Sequence, residues 1–303
     1  MPNVSLVDVG KLSKPATVLV EKISNAIGIV YEPRRIKQKA IAEAEASKTK
    51  ALMDLEIEDI QKRALNRLVT EEIKKQENIE SITEKSFSSL EENATPEDIE
   101  DDWLSNFFDK CKLISDNEMQ TLWAQILAGE SNTPGTFSKR TIEFISTLDK
   151  SDALLFDNFL KYCWFIGGYQ PLIIDYNDNQ IYENNNMTFS NLMHLDEIGL
   201  ISFNPTSGFV KIFNTDTFSI GYYGRILNLD FKNVPKKEIK TGTVTLTKIG
   251  LDLAQVNHPN IYKKTDDKDE YIDGFYHYIV EKLFKANLIL SEPLHNKVYN
   301  KTS

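Results

Sequence analysis

DDWLSNFFDKCKLISDNEMQTLWAQILAGE, residues 101–130, decides the fold of the N-terminal half. Trp103, Phe107 and Phe108 recur at helical spacing and form the apolar side of one helix. Leu122, Trp123 and Ile126 form that of a second. Core packing accounts for the anchors Trp103, Phe107 and Trp123 without any ligand. Between them, Ser115 and Glu118 have the Ser-x-x-Glu spacing of a capping box, and Gly129 marks the second helix's end. Upstream, Thr95 followed by Pro96, Glu97 and Asp98 reads as a helix start: a hydroxyl cap, proline in the first turn, and carboxylates at the positive helix end. Downstream, Pro134 and Gly135 form a turn. Thr136 or Ser138 opens a third helix through Ile142, Ile145 and Leu148, and Asp149 or Ser151 a fourth through Phe156, Phe159 and Leu160. Short connections between amphipathic helices predict a compact bundle over residues 94–167.

The segment 33–93 has no glycine and, after Pro33, no further proline. It predicts one long charged helix, or two with a tight break. Its apolar residues Ile57, Ile60, Leu65, Leu68, Ile73, Ile79 and Ile82 keep no clean heptad, so a coiled coil is one option among several. Arg63 and Arg67 lie one turn apart; Glu56, Glu58 and Glu71 balance them as a solvated face. Residues 1–32 hold an amphipathic segment whose face Leu19, Ile23 and Ile27 is flanked by Lys14 and Lys22. It is a candidate membrane or self-association surface, or a short helix docked on the protein's own body.

After Gly167-Gly168 the period changes to two. PLIIDY and IYE read as a hairpin around NDNQ, and TFSNLMHLDEIGLISF as a helix closed by Gly199 and running into a strand. SGFVKIF, SIGYYGRILNLDF and GTVTLT add strands, KIGLDLAQV returns to helix, and DKDEYIDGFYHYIVEKLFKANLIL closes the chain with a helix and a final strand. The predicted fold class is α+β: a long N-terminal helix and a helical bundle, followed over residues 168–303 by a winged-helix-like α+β domain.

The 303 residues carry 35 basic and 45 acidic side chains, a formal charge of −10, and 41% apolar residues. That balance excludes a disordered tail protein and a basic nucleic-acid coat. Ten acids against two lysines fall between Glu91 and Glu118, whereas the first forty residues carry seven Lys or Arg against three acids. A basic end and an acidic strip predict pairing between neighbouring copies. Cys111 and Cys163 are too few for a disulfide scaffold, and no run of 18 apolar residues occurs, which fits a cytoplasmic protein. His194, His258, His277 and His295 are scattered, and no Walker loop, GxGxxG turn or GxSxG elbow is found, so no catalytic, metal or cofactor residue is assigned. Asp175, Asn177 and Asn179 start like an EF-hand loop, but Gln180 stands where glycine belongs. TFSNLMHLDEIG has two acids and no Lys or Arg, which favours protein contact over DNA reading, although KNVPKKEIK and YKKTDDK leave a nucleic-acid contact open. Four polar residues are singled out: Asp102, Gln120, Glu130 and Arg140. Arg140 is expected to pair with Glu130 or Asp102; exposed instead, it would mark a partner site.

Together, D-W-L-x-x-F-F, S-D-x-E-M-Q-x-L-W-A-x-I-L-A-G-E and P-G-x-F-S-x-R-T resemble a bacterial family of unknown function whose core is similar to the Abi-alpha abortive-infection proteins. Further matches continue at YEPRRIKQKAIAEAEA, RALNR to QENIE, YYGRILNL and LTKIGLDLA. The resemblance implies a defence-associated protein, cytoplasmic or peripheral to the inner membrane, with no catalytic residue to carry over. The expected function is non-enzymatic, through self-association and a protein partner, with a phage-derived one included. The alternatives are a nucleic-acid-binding regulator and a membrane-perturbing effector.

Overall fold

The computed structural model describes residues 12–28, 59–176, 180–257 and 270–289. The predicted 177–179 turn, His258, His295, the YKKTDDK cluster and residues 29–58 of the long charged segment lie outside the described residues. The chain divides into two compact units, Met1–Leu148 and Asp149–Ser303. Its class is α+β, a helical N-terminal half followed by small antiparallel sheets mixed with helices.

In the first unit, α1 (Lys14–Ile27) starts where the Ser13 side chain accepts the Ala16 N–H, and closes at Gly28, whose φ of 71° is left-handed. α2 (Asp59–Ser86) is 28 residues long, yet its buried positions begin only at Asn78. It lies along α4 (Asn117–Asn132), while α3 (Asp101–Cys111) packs on α5 (Lys139–Ser146) and on α1. Trp103 stacks on Phe107 at 5.1 Å, and Phe107 meets Trp123 edge-on at 5.1 Å. All three anchors are buried.

Two of the expected helix starts are displaced. The Thr95 side chain caps nothing; its N–H donates to the Ser131 carbonyl at the end of α4, and Pro96–Asp98 forms a single 3-10 turn before α3 opens at Asp101. At α4 the cap is Asp116, not Ser115. Its carboxylate accepts the N–H groups of Glu118 and Met119 at 3.0 and 3.1 Å. Asp116→Ala is therefore expected to cost about 1 kcal/mol in urea denaturation, and Ser115→Ala almost nothing. Gly129 lies inside α4, which runs on to Asn132. Ser138 does cap α5 through the Thr141 N–H, and α6 (Lys150–Leu160) follows Asp149.

In the second unit the hairpin forms one step earlier than expected. β1 (Cys163–Phe165) pairs antiparallel with β2 (Tyr169–Pro171) across Gly167-Gly168, and IYE is helical in α7 (Gln180–Glu183). The two glycines supply positive φ values of 66° and 149°, so the turn sits where the chain can reverse. α8 (Phe189–Glu197) is capped by Thr188, ends at Gly199 with φ of 84°, and runs into β3 (Ile201–Phe203) as read.

β3 and β4 (Phe209–Ile212) form one arm of a broken ribbon; β7 (Glu238–Gly242) and β8 (Val244–Leu246) return as the other. The hairpin of β5 (Thr217–Tyr222) and β6 (Arg225–Asp230) is inserted between the arms and joins a sheet of order β2-β1-β5-β6. The arms break at Gly242, where Ile173 wedges in: its N–H donates to the Thr241 carbonyl and its carbonyl accepts the Thr243 N–H. α9 (Lys248–Asn257) and α10 (Glu270–Lys285) complete the unit, with Phe275, Ile279 and Leu283 of α10 buried. As far as Ile289 the expected final strand is a turn, in which the Leu288 carbonyl accepts the Asp230 N–H at 2.9 Å.

Candidate interaction surfaces

Gln120 and Glu130 are buried in α4, and each is held by partners within its own unit. The Gln120 amide oxygen accepts from Ser81 Oγ and Lys85 Nζ, each at 2.8 Å. Its nitrogen donates to Asn78 Oδ1 at 3.2 Å and to the Ile114 carbonyl at 2.9 Å. Two donors and two acceptors are thus all engaged, and Gln120 acts as a clamp between α2 and α4.

Glu130 holds the connection to α5. One carboxylate oxygen accepts the Gly135 N–H at 2.7 Å, and the other the Phe137 N–H at 2.8 Å. The Phe137 carbonyl in turn accepts Trp103 Nε1 at 2.7 Å, so one carboxylate fixes the loop that roofs the aromatic core. Burial raises its pKa above the ordinary value, against the opposing pull of the backbone N–H groups. A folded pKa above the unfolded one makes its contribution largest below the unfolded value, and that contribution is lost as pH rises through the folded one. Measured by denaturation from about pH 4 upward, the wild type is expected to lose stability relative to Glu130→Gln as pH climbs from the ordinary carboxylate value through the raised folded one.

The expected pairing of Arg140 does not form. Glu130 is occupied by the loop N–H groups, Asp102 faces Lys139 at 3.8 Å, and Arg140 is exposed in the first turn of α5. A cation at the positive end of a helix gains nothing from the dipole, so helix stability does not explain it.

The face Leu19, Ile23 and Ile27 is covered by its own unit: Leu19 and Ile23 are buried and Ile27 half-buried as α1 lies on α3 and the Pro96–Asp98 turn. Lys22 pairs with Asp101 at 2.8 Å, so part of the basic end meets the acidic strip within one chain. Arg63 and Arg67 are exposed and engaged along α2 with Asp59 and Glu71, at 3.1 and 3.6 Å.

The second unit holds features the sequence reading passed over. Trp164 stacks on Tyr222 at 4.6 Å and on Tyr276 at 5.7 Å, and Tyr162 meets Phe275 edge-on at 5.1 Å. Arg225 lies over the Tyr276 ring at 4.6 Å and pairs with Asp273. Burial pushes the Tyr162, Tyr182 and Tyr271 hydroxyls up, as it does the thiols of Cys111 and Cys163, both free and buried. These are protonated packing groups at neutral pH. His194 and Asp152 pair at 2.8 Å and tie α8 to α6, while Asp196 anchors β3 through the Phe203 N–H. Asp175, the first residue of the EF-hand-like run, pairs with Lys282 at 2.6 Å.

Lys211, Lys232, Lys236, Lys237 and Lys240 gather on and beside the β4–β7 arms. The strand β7 begins within the lysine-rich KNVPKKEIK and runs past its end; only Ile239 and Thr241 carry its alternation, and both are buried. Among the described residues, no group of three or more His, Cys, Asp or Glu could hold a metal ion, and no helix is long and apolar enough to cross a membrane.

Residues 62–272 match the pattern of a family of proteins of unknown function, DUF2806. The chain belongs to this family. The DUF2806 span takes in Gln120, Glu130, Arg140 and the whole β4–β7 ribbon, and begins after α1. No curated protein and no solved structure matches the chain.

Proposed function

We propose that this DUF2806 protein is a non-enzymatic interaction protein of the abortive-infection type, acting through self-association and a protein partner. One observation carries the self-association: α2 buries nothing from Asp59 to Gln76, yet Ile60 and Leu68 there are 63% and 54% exposed. A helix extended by about five turns beyond its own packing, with large apolar side chains left in water, supports a second protein surface on that stretch. The exposed Arg140 supports a partner contact on the first unit. The place in phage defence rests on the resemblance of residues 101–130 and 134–141 to a bacterial family of unknown function whose core is similar to the Abi-alpha proteins.

Light scattering after size exclusion is expected to give an oligomer for the wild type and a monomer of unchanged melting temperature for Ile60→Glu with Leu68→Glu. A pull-down from phage-infected cells is expected to recover a partner that Arg140→Glu loses. A monomeric wild type without an infection-dependent partner overturns the proposal.

A further inference from the structure

We propose that the free edge of β4 receives an extended acidic peptide, which adds as a third strand to the β4–β7 ribbon. The inference rests on the interaction-protein reading above and names the chemistry of one partner.

Three observations meet on β4. Among the described residues β4 pairs with β7 alone, so its other edge presents unpaired N–H and C=O groups. Its side chains alternate: Val210 and Ile212 stand outward, 49% and 74% exposed, while Phe209 and Lys211 are half-buried on the opposite face. The register places Val210 across from Lys240 and Ile212 across from Glu238, with Lys211 across from the buried Ile239. Charge is the third. Lys237 is held by Asp216 at 2.6 Å, but Lys211, Lys232, Lys236 and Lys240 make no ion pair among the described residues.

An incoming strand that uses all three must alternate. Apolar residues would lie beside Val210 and Ile212, and carboxylates at the intervening positions would face Lys211, with further acids reaching Lys232 and Lys236. Nucleic acid would use the lysines but neither the strand edge nor the isoleucine. A bilayer would take the apolar side chains and the lysines but would desolvate the unpaired edge. A second copy would bring two lysine-rich ribbons together. An edge lysine that merely guards against aggregation accounts for Lys211, but a guarded edge does not display Val210 and Ile212 beside it.

The test is an amide NMR titration of the full-length protein with a synthetic ten-residue peptide of alternating valine and glutamate, against a matched valine–lysine peptide. The acidic peptide is expected to shift resonances of β4 and β7, and its binding to weaken about tenfold in Lys211→Glu, and likewise in Val210→Thr with Ile212→Thr. Melting curves of both variants should match the wild type, since all three side chains lie at the surface or its margin. Equal shifts with both peptides, shifts elsewhere, or none at millimolar peptide overturn the proposal. So does binding to phosphatidylglycerol vesicles, or dimerisation, that these variants abolish in place of peptide binding. A failed titration beside an oligomer with an infection-dependent partner removes the ribbon site alone; a positive titration on a monomer without such a partner keeps the site and removes the antiphage reading.

Discussion

Trp123→Ala is expected to lower the stability of the first unit by about 3–5 kcal/mol, enough to leave it largely unfolded. The indole is fully buried, lies edge-on to Phe107, and belongs to the same aromatic group as Trp103. Truncation removes its contacts and leaves a cavity beside rings that cannot collapse into it. The indole N–H has no hydrogen-bond partner. Phenylalanine at the same position removes an unsatisfied donor as well as volume, and the loss should fall to about 1–2 kcal/mol. Urea denaturation followed by far-ultraviolet circular dichroism separates the two. Equal losses would show that the ring volume kept by phenylalanine contributes nothing, and would overturn the cavity argument.

Gly242→Ala is expected to cost about 4 kcal/mol or more in the same measurement. The φ of 94° is strained for any side chain, and an added Cβ would lie 1.8 Å from the Ile173 carbonyl oxygen, the atom that accepts the Thr243 N–H. Backbone, not a flexible side chain, would have to move. Gly199 provides the comparison, with φ of 84° and nothing within 4 Å of the added atom. Gly199→Ala should cost only the left-handed conformation, about 1–2 kcal/mol. A mild Gly242→Ala would mean that the wedge of Ile173 yields easily and that the two arms are not locked at that point.

The aromatic spacing in residues 101–130 was enough to place α3, α4 and their shared core, because helical periodicity is a local property of large side chains. The caps were less legible: the start expected at Thr95 falls at Glu100 and Asp101, and the one expected at Ser115 falls one residue on, at Asp116. Ser115 and Asp116 can both cap, and only the backbone path shows which oxygen meets the N–H groups. Arg140 was misjudged for a different reason: pairing charges by type ignores that backbone N–H groups can claim a carboxylate first, as they do at Glu130. In the second unit, β7 was missed because its outward positions are lysine and glutamate, so its alternation rests on two inward residues. The free edge of β4 was not legible at all, since strand order is a tertiary property, whereas the alternation within FVKI was plain.

The seat of α1 links what that helix does within the chain to what it can do outside it. Leu19 and Ile23 cannot face α3 and a lipid headgroup layer at the same moment, so any released helix would have to compete with the docked one. Any outside surface draws only on the released fraction, and its apparent dissociation constant rises as that fraction shrinks. The Lys22–Asp101 contact is part of this balance. Salt or a substitution at Asp101 that weakens it would shift the balance toward release, and any outside affinity of the apolar face would then change without a single residue of that face being altered.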